Sequence, residues 1–169
     1  IALPVQSRKR CVFHFRTPAS LPRCPLVIDP TGLYFRPEGA GFLAGIAPPE
    51  EDDPECFDFE VPPSLFEQTV WPLLARRVPG FESLRLLSSW AGHYDVNTLD
   101  HNVILGPHPE LSNLLFANGF SGHGVQQAPA VGRALAEWVC HGGWRSLDLS
   151  AFGWERVLAG RPLRELNVV

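Results

Sequence analysis

The 169-residue sequence contains no methionine and begins at Ile1. A primary translation product starts with methionine, so we expect the chain to be processed or to be part of a longer protein. It also lacks any run approaching about 18 consecutive apolar residues, which excludes a transmembrane helix. No signal or transit peptide pattern is visible at its start.

Positive charge is scarce: the 14 lysines and arginines are outnumbered by 18 aspartates and glutamates, giving a net charge of −4. A weakly acidic chain binds a phosphate backbone poorly, so we expect no nucleic-acid partner. The cysteines are Cys11, Cys24, Cys56 and Cys140, and no two form a Cys-x-x-Cys pair. Their spacing matches no zinc template, so we predict four reduced thiols, an intracellular compartment and no metal site.

The sequence also lacks the composition of a helical bundle. Glycine and proline make up about 19% of it, against an average of about 12%, and neither residue suits a helix interior. At 45% hydrophobic and 11% aromatic residues the chain is not disordered either. These values indicate a loop-rich sheet protein with a core, and the length by itself suggests one domain.

The first third of the sequence predicts an antiparallel sheet. Residues 10–16 alternate in the period-2 pattern of a half-buried strand. Further strands are predicted at 26–28, 33–36 and 41–46, and Asp29-Pro30-Thr31-Gly32 suits a type I turn between the first two of these. The run from Glu50 to Glu60, which contains seven acidic residues, is predicted to be a solvated loop.

A helix is predicted after the acidic run. Ser64 and Glu67 have the spacing of a capping box, and Pro72 should kink or divide the helix. Strands follow at 84–90, 103–105 and 114–117. The last of these is wholly apolar, which predicts a buried central strand.

A glycine-rich turn, Asn118-Gly119-Phe120-Ser121-Gly122-His123-Gly124, follows that strand and precedes an amphipathic helix over 125–139. Pro129 is expected in the first helical turn. A strand, turn and helix in this order direct unpaired amides and the positive helix end to one spot, which favours an anionic ligand. The glycine order fails a dinucleotide turn, and Gly119-x-Ser121-x-His123 fails the nucleophile elbow at its last position. A tight turn that serves only helix–sheet packing remains an alternative.

An ordered set of motifs surrounds this turn: Trp90-Ala91-Gly92, Asp100, Val103-Ile104-Leu105-Gly106 and His108-Pro109. Together with the turn they resemble the C-terminal signature of the D-amino-acid oxidase superfamily of FAD-dependent oxidoreductases. The turn itself is especially similar to that of monomeric sarcosine oxidases.

The resemblance implies an α+β fold that is the C-terminal part of a D-amino-acid-oxidase-like fold. Residues 1–95 would form a partial substrate-domain sheet, mostly antiparallel. Residues 96–150 would supply the closing strands and helix of the FAD-binding domain, and 151–169 a C-terminal tail. The Gly-x-Gly-x-x-Gly turn that holds the FAD pyrophosphate in such proteins does not occur in this sequence.

The resemblance also implies FAD as cofactor, with the turn beside the pyrimidine end of the isoalloxazine ring. The FAD-binding candidates are Gly119, Phe120, Ser121, Gly122, His123, Gly124, Val125 and Gln126. Gly122 and Gly124 would let the backbone approach the ring closely. Some relatives attach the flavin through a cysteine in the segment matching 90–100, which has none here, so non-covalent FAD is expected.

Two positions depart from the family pattern. Sarcosine oxidases carry a lysine at the position of Gln126, and many amino-acid oxidases carry a substrate-binding arginine where this chain has His93-Tyr94-Asp95. A small amino acid is therefore not the expected substrate. His93 and Tyr94 are the candidate acid–base groups, with ordinary sheet contacts as the alternative.

Within the superfamily, the whole chain resembles most a mitochondrial branch that acts in the assembly of respiratory complex I. The resemblance implies complex I subunits or assembly intermediates as partners, and a place at the inner membrane or in the matrix. The alternative is an amine or hydroxy-acid oxidase or dehydrogenase of the sarcosine oxidase type, acting on a small-molecule substrate. Whether catalysis is retained stays open, and the chain by itself is expected to be inactive.

Overall fold

The structure, a computed structural model, describes residues 1–19, 21 and 23–166. Its strands are β1 (Val5–Arg16), β2 (Val27–Ile28), β3 (Tyr34–Glu38), β4 (Gly41–Gly45), β5 (Arg85–Asn97), β6 (Ile104–Pro107) and β7 (Leu115–Asn118). Its α-helices are α1 (Pro63–Leu65), α2 (Trp71–Arg77), α3 (Gly124–His141) and α4 (Trp154–Leu158). Short 3₁₀ turns occur at Glu50–Asp52, Pro79–Phe81 and Ser150–Phe152. No described helix is both long enough and apolar enough to cross a membrane.

The first five strands form one sheet in the order β2-β3-β4-β1-β5. β1 and β4 pair antiparallel, with Phe13 opposite Ala44 and Phe15 opposite Phe42. The alternation predicted over 10–16 is confirmed, since Cys11, Phe13 and Phe15 are buried while their neighbours are less so. The predicted hairpin is also confirmed: β2 pairs antiparallel with β3, and the Gly32 amide donates to the Asp29 carbonyl at 2.9 Å.

Phenylalanine rings fill the core beside this sheet. Phe81 is fully buried, and its ring centroid lies 5.0 Å from Phe15, 5.3 Å from Phe35 and 5.1 Å from Phe42. All three pairs are edge-on, an arrangement that aromatic rings favour. Phe81 therefore joins three strands of the sheet through one side chain.

The helical segment after the acidic run begins and continues differently from the prediction. α1 starts at Pro63 after Pro62, with no side-chain cap, so the capping box at Ser64 and Glu67 is wrong. A proline at the first helical position has no N–H group that needs a hydrogen-bond acceptor, so Ser64 is not required as an N-cap residue. The predicted irregularity at Pro72 is confirmed, because a π-helical stretch, Phe66–Val70, divides α1 from α2 just before it.

β6 and β7 form a separate antiparallel pair with Ile104 opposite Asn118. The prediction that 114–117 is a buried central strand is wrong. Only Phe116 of β7 is buried and Ala117 is exposed, and no other described strand pairs with β7. The buried strand is β6, where Ile104 and Leu105 are almost inaccessible. An apolar run of four residues does not distinguish a buried strand from a partly exposed one, because small residues such as alanine also occur at exposed positions.

α3 ends at His141, where Gly142 adopts φ +71° and its amide donates to the Trp138 carbonyl at 2.8 Å. The helix begins at Gly124, so Pro129 lies beyond the first turn, and the prediction that placed it in that turn is wrong. Val131 and Ala134 form the buried stripe of α3.

The chain divides into two compact units, one of residues 8–93 and one of residues 1–7 and 94–166. The phenylalanine core belongs to the first of these. The second has two small apolar clusters, around Val103 and Leu105 and around Phe116 and Trp154. The assignment of 1–95, 96–150 and 151–169 to a substrate domain, an FAD-binding domain and a tail stays a prediction.

The acidic run in the unit of residues 8–93 is tied to the basic residues at the start of β1. Arg10 binds both carboxylate oxygens of Asp53 at 2.9 and 2.8 Å, and Lys9 donates to Asp58 at 2.6 Å. Hydrogen bonds from Cys56 and Lys9 hold the pKa of Asp58 well below its usual range. The predicted solvated loop is exposed along most of its length, but these contacts anchor it to the sheet.

Candidate functional site

The glycine-rich turn between β7 and α3 has a left-handed backbone at three positions. The φ angles are +72° at Gly119, +50° at Ser121 and +96° at Gly122. Serine rarely adopts this conformation, but Ser121 is fully buried and bonded on both sides. Its Oγ accepts from the Asn97 amide at 3.0 Å and donates to the Gly119 carbonyl at 3.3 Å. These bonds stabilise the turn from within.

The end of β5 supplies an anchor for the same turn. The amides of Gly119 and Phe120 donate to Asp95 Oδ2 at 2.7 and 3.3 Å, and the Ser121 amide donates to the Asp95 carbonyl at 3.2 Å. The prediction that the turn directs unpaired amides to a ligand is therefore wrong for these three residues. The Asp95 carboxylate already satisfies the amides of Gly119 and Phe120.

The remaining amides lie at the N-terminus of α3. Those of Gly122, Gly124, Val125 and Gln126 have no hydrogen-bond acceptor within the part of the chain that the structure describes. The first turn of α3 contains no acidic side chain, so no residue of the helix itself offsets its positive end. This end of the turn can stabilise negative charge on a bound group.

Two of the glycines in the turn accommodate the protein's own side chains. A Cβ at Gly122 would lie 2.9 Å from Tyr94 Cε2, and one at Gly119 would lie 3.1 Å from Asn97 Cβ. A Cβ at Gly124 would make only ordinary contact with Phe120, at 3.5 Å. Close approach to Tyr94 is therefore one reason for a glycine at position 122, and the close approach of its backbone to a flavin ring stays a prediction.

The two candidate acid–base residues have different surroundings. Tyr94 lies against Gly122, so the fold brings it to the turn. His93 belongs to the compact unit of residues 8–93, where its ring packs edge-on against Phe59 at 4.5 Å. Its Nε2 is buried and has no hydrogen-bond partner among the described residues. The catalytic role of either residue stays a prediction.

Gln126 is exposed on the first turn of α3. With Gln127 it lines a cavity of about 360 Å³ whose apolar wall includes Val103, Leu105 and Val131. The placement of Gln126 against a flavin stays a prediction.

A buried ion pair joins α4 to the segment between β5 and β6. Arg156 on α4 donates to the two carboxylate oxygens of Asp100 at 2.9 and 3.2 Å, and both side chains are buried. The sequence pattern marked Asp100 as a motif residue but gave Arg156 no role. The available signal was Asp100 itself, since a carboxylate among apolar strands requires a cationic partner if it is buried.

Residues 1–138 match the family described as FAD dependent oxidoreductase. FAD-dependent oxidoreductase domain-containing protein 1 of Xenopus laevis is 50% identical over all of this chain, which covers 34% of that protein. The chain therefore spans about a third of the length of the curated relatives it matches.

Two solved structures resemble the fold. L-proline dehydrogenase from P. horikoshii matches with a TM-score of 0.82 and 27% identity, over 95% of this chain and 42% of that one. Glycine oxidase from Geobacillus kaustophilus matches with a TM-score of 0.78 and 26% identity, over 90% and 40%. The predicted α+β fold, part of a D-amino-acid-oxidase-like fold with a mostly antiparallel sheet, is confirmed.

The cofactor of this family is FAD, and the turn has features that fit it. Asn118 Oδ1 and His123 Nδ1 are buried there with no hydrogen-bond partner among the described residues. A buried polar atom without a hydrogen bond costs free energy, unless a ligand or a water molecule forms that bond. The pyrimidine end of a flavin presents alternating carbonyl and N–H groups, which match an amide oxygen, a ring nitrogen and the unpaired amides of α3.

Proposed function

Since the chain belongs to the FAD-dependent oxidoreductase family, we propose that it is part of a mitochondrial flavoprotein needed for the assembly of respiratory complex I. The glycine-rich turn would hold the pyrimidine end of non-covalently bound FAD. The observation that carries the flavin site is the pair of unsatisfied buried atoms, on Asn118 and His123, beside the unpaired amides of α3.

The chemistry that FAD would supply when bound is acceptance of a hydride from the C–H bond of a carbon that bears nitrogen or oxygen. The task of this chain would be to stabilise the negative charge that then develops at the pyrimidine end. The amides of Gly124, Val125 and Gln126 and the positive end of α3 are fixed in place before the reaction, so they need no reorganisation. Losing one such donor typically lowers the rate by about 10²–10³-fold.

The assembly role is supported by the resemblance to the complex I branch and by the surroundings of Asp95. Where many amino-acid oxidases carry a substrate-binding arginine, this chain has a carboxylate bonded to the Gly119 and Phe120 amides. A negative charge at that position repels a substrate carboxylate. Complex I subunits or assembly intermediates are then the proposed partners, at the inner membrane or in the matrix.

A second candidate function is an amine or hydroxy-acid oxidase or dehydrogenase of the sarcosine oxidase type. The likeness to L-proline dehydrogenase and glycine oxidase at 27% and 26% identity favours it. In that case His93 and Tyr94 are the candidates to move a proton. The substrate would be a small amine or hydroxy compound.

The flavin proposal is tested by the visible spectrum of the full-length protein. We expect flavin absorbance that is released on denaturation, as non-covalent attachment requires. A colourless protein that takes up no added FAD would refute the proposal. Gln126→Leu should weaken FAD binding and shift the spectrum, while Gln127→Leu, its neighbour on the same helical turn, serves as the matched control.

The two functions are separated by two further measurements. Cells that lack the protein should contain little assembled complex I on native gels, and the wild-type protein should restore it. Normal complex I in those cells would contradict the assembly role. Flavin bleaching on anaerobic titration with a panel of amines and hydroxy acids would instead support the oxidase.

A further inference from the structure

Four buried polar residues form a continuous hydrogen-bonded path from α4 to the glycine-rich turn. Arg156 and Asp100 make the two-point ion pair described above. Asn97 donates from Nδ2 to Asp100 Oδ1 at 2.9 Å, and its backbone amide donates to Ser121 Oγ at 3.0 Å. Every member is at most 6% exposed. We call this set the 97–100–121–156 network.

Arg156 uses its whole guanidinium group in this arrangement. Besides binding Asp100, its terminal nitrogens donate to the carbonyls of Phe152, Asn102 and Val103 at 2.8, 3.0 and 2.9 Å. Three carbonyls and a carboxylate thus fix the guanidinium in one orientation. Lysine has a single nitrogen and cannot reproduce a planar two-point contact.

The carboxylate of Asp100 also accepts hydrogen bonds from several donors. In addition to Arg156 and Asn97, its carboxylate accepts from the Asn102 amide at 3.2 Å and the Leu163 amide at 2.9 Å. A buried carboxylate with this many donors has one favoured position. It therefore holds Asn97, at the end of β5, at a defined distance from α4.

The last step of the path reaches the turn. Ser121 has a left-handed backbone, which costs free energy for a residue with a Cβ. Its bonds to the Asn97 amide and the Gly119 carbonyl hold that conformation. The next residue, Gly122, carries the first of the unpaired amides. A shift in Asn97 would move Ser121 and so change the direction of those amides.

We propose that Arg156 on α4 is a positioning residue for the cofactor-binding turn, acting through the 97–100–121–156 network. The proposal rests on the proposed flavin site. It gives the segment around α4, which lies beyond the family match that ends at residue 138, a role in the geometry of the turn.

The test uses the full-length protein with Arg156→Lys, Ser121→Gly and a matched control, Val157→Ala. Val157 is also on α4 and packs in the cluster around Phe116 and Trp154 but lies outside the network. Three quantities are measured: the FAD dissociation constant, the visible spectrum of the flavin and the hydrogen exchange of amides 119–126. Thermal midpoints show which variants are only destabilised.

We expect Arg156→Lys to raise the FAD dissociation constant about tenfold, the scale of coupling through such networks. It should also shift the flavin spectrum and speed the exchange of 119–126. Ser121→Gly, which removes the hydroxyl and relieves the backbone, should give the same changes with a smaller loss of thermal stability. Val157→Ala should lower the thermal midpoint with the spectrum and turn exchange unchanged.

The inference is overturned if Arg156→Lys and Val157→Ala change turn exchange and FAD affinity equally, or if neither changes them. Failure of the proposed function looks different: the wild-type protein itself then binds no FAD. In that case the hydrogen exchange of amides 119–126 decides. Faster exchange in Arg156→Lys than in Val157→Ala supports the positioning of the turn, and equal exchange refutes it.

Discussion

The unit of residues 8–93 is held together by apolar rings, whereas the unit of residues 1–7 and 94–166 depends on a buried polar network. In the first, the ring of Phe81 contacts those of Phe15, Phe35 and Phe42 at centroid distances between 5.0 and 5.3 Å. In the second, the apolar clusters are small, and Asp100 and Arg156 lie among them as a buried ion pair.

The difference shows how each unit responds to change. Apolar packing has no required direction, so neighbouring rings can move to fill part of a lost volume. A buried ion pair cannot adjust in this way, because either charge left alone has no solvent and no partner. The polar unit also contains the glycine-rich turn, where orientation matters more than volume.

The largest expected effect comes from breaking the ion pair on one side. Asp100→Ala should destabilise the unit around α3 and α4 by about 3–5 kcal/mol, since it leaves Arg156 buried without a counter-charge. Hydrogen exchange of α3 in the full-length protein measures this. Replacing both partners, as Asp100→Leu with Arg156→Met, should recover part of the loss. A single variant as stable as the wild type would show that the pair is not needed.

Phe81→Leu should have a smaller effect, of about 1–2 kcal/mol, because a branched aliphatic side chain fills part of the space of the ring. The lost free energy comes from edge-on contacts with Phe15, Phe35 and Phe42. Hydrogen exchange of β1 and β4 is the measurement. A loss as large as that of Asp100→Ala would remove the contrast between the two units.

A weaker and pH-dependent effect is expected at Glu137 on α3. Hydrogen bonds from Ser146, with further ones from Arg145 and Arg133, lower the pKa of Glu137 to about 2. The carboxylate is therefore favoured by folding, and its contribution is complete above about pH 4.5 and is lost as the pH falls toward 2. Glu137→Gln should reduce the thermal midpoint at neutral pH and match the wild type near pH 2.

Glu110→Gln is the control for this measurement, because Glu110 is an exposed carboxylate on the loop after β6. It should leave the thermal midpoint unchanged at neutral pH. A constant difference between Glu137→Gln and the wild type across the acid range would show that the pKa of Glu137 is not lowered by folding.

The smallest effect concerns thiol reactivity. Cys11 is buried in the phenylalanine core, and burial raises the pKa of its thiol, so little thiolate forms near neutral pH. Cys140, near the end of α3, is exposed. Alkylation followed by mass spectrometry should label Cys140 first and Cys11 last in the native protein. Equal rates would mean that the core around Cys11 opens readily.

Local patterns were sufficient for much of the fold. The alternation of Cys11, Phe13 and Phe15 predicted β1, and the Asp29–Gly32 turn predicted the β2–β3 hairpin. Predictions from local patterns were wrong at one helix start and one strand. The Ser64–Glu67 spacing predicted a capping box, but the helix starts at Pro63 without a side-chain cap. The apolar run at 114–117 predicted a buried strand, but Ala117 is exposed.

The candidate site was predictable only in part. The order of strand, glycine-rich turn and helix placed the turn at the N-terminus of α3, as observed. It did not predict that Asp95 takes two of the amides or that Tyr94 fills the space at Gly122. Both contacts join residues about 25 positions apart, a separation at which one sequence contains no periodic signal.

By itself the sequence predicted strands of the first sheet and the long helix α3, since each rests on spacing within a short segment, and its ordered motifs resemble those of a flavoprotein family. Only the tertiary structure decided that Asp100 meets Arg156, and that Asn97 connects them to Ser121. The physical reason is that a buried charge is stabilised by whichever partner the folded chain brings to it. That partner lies 56 residues away in the chain.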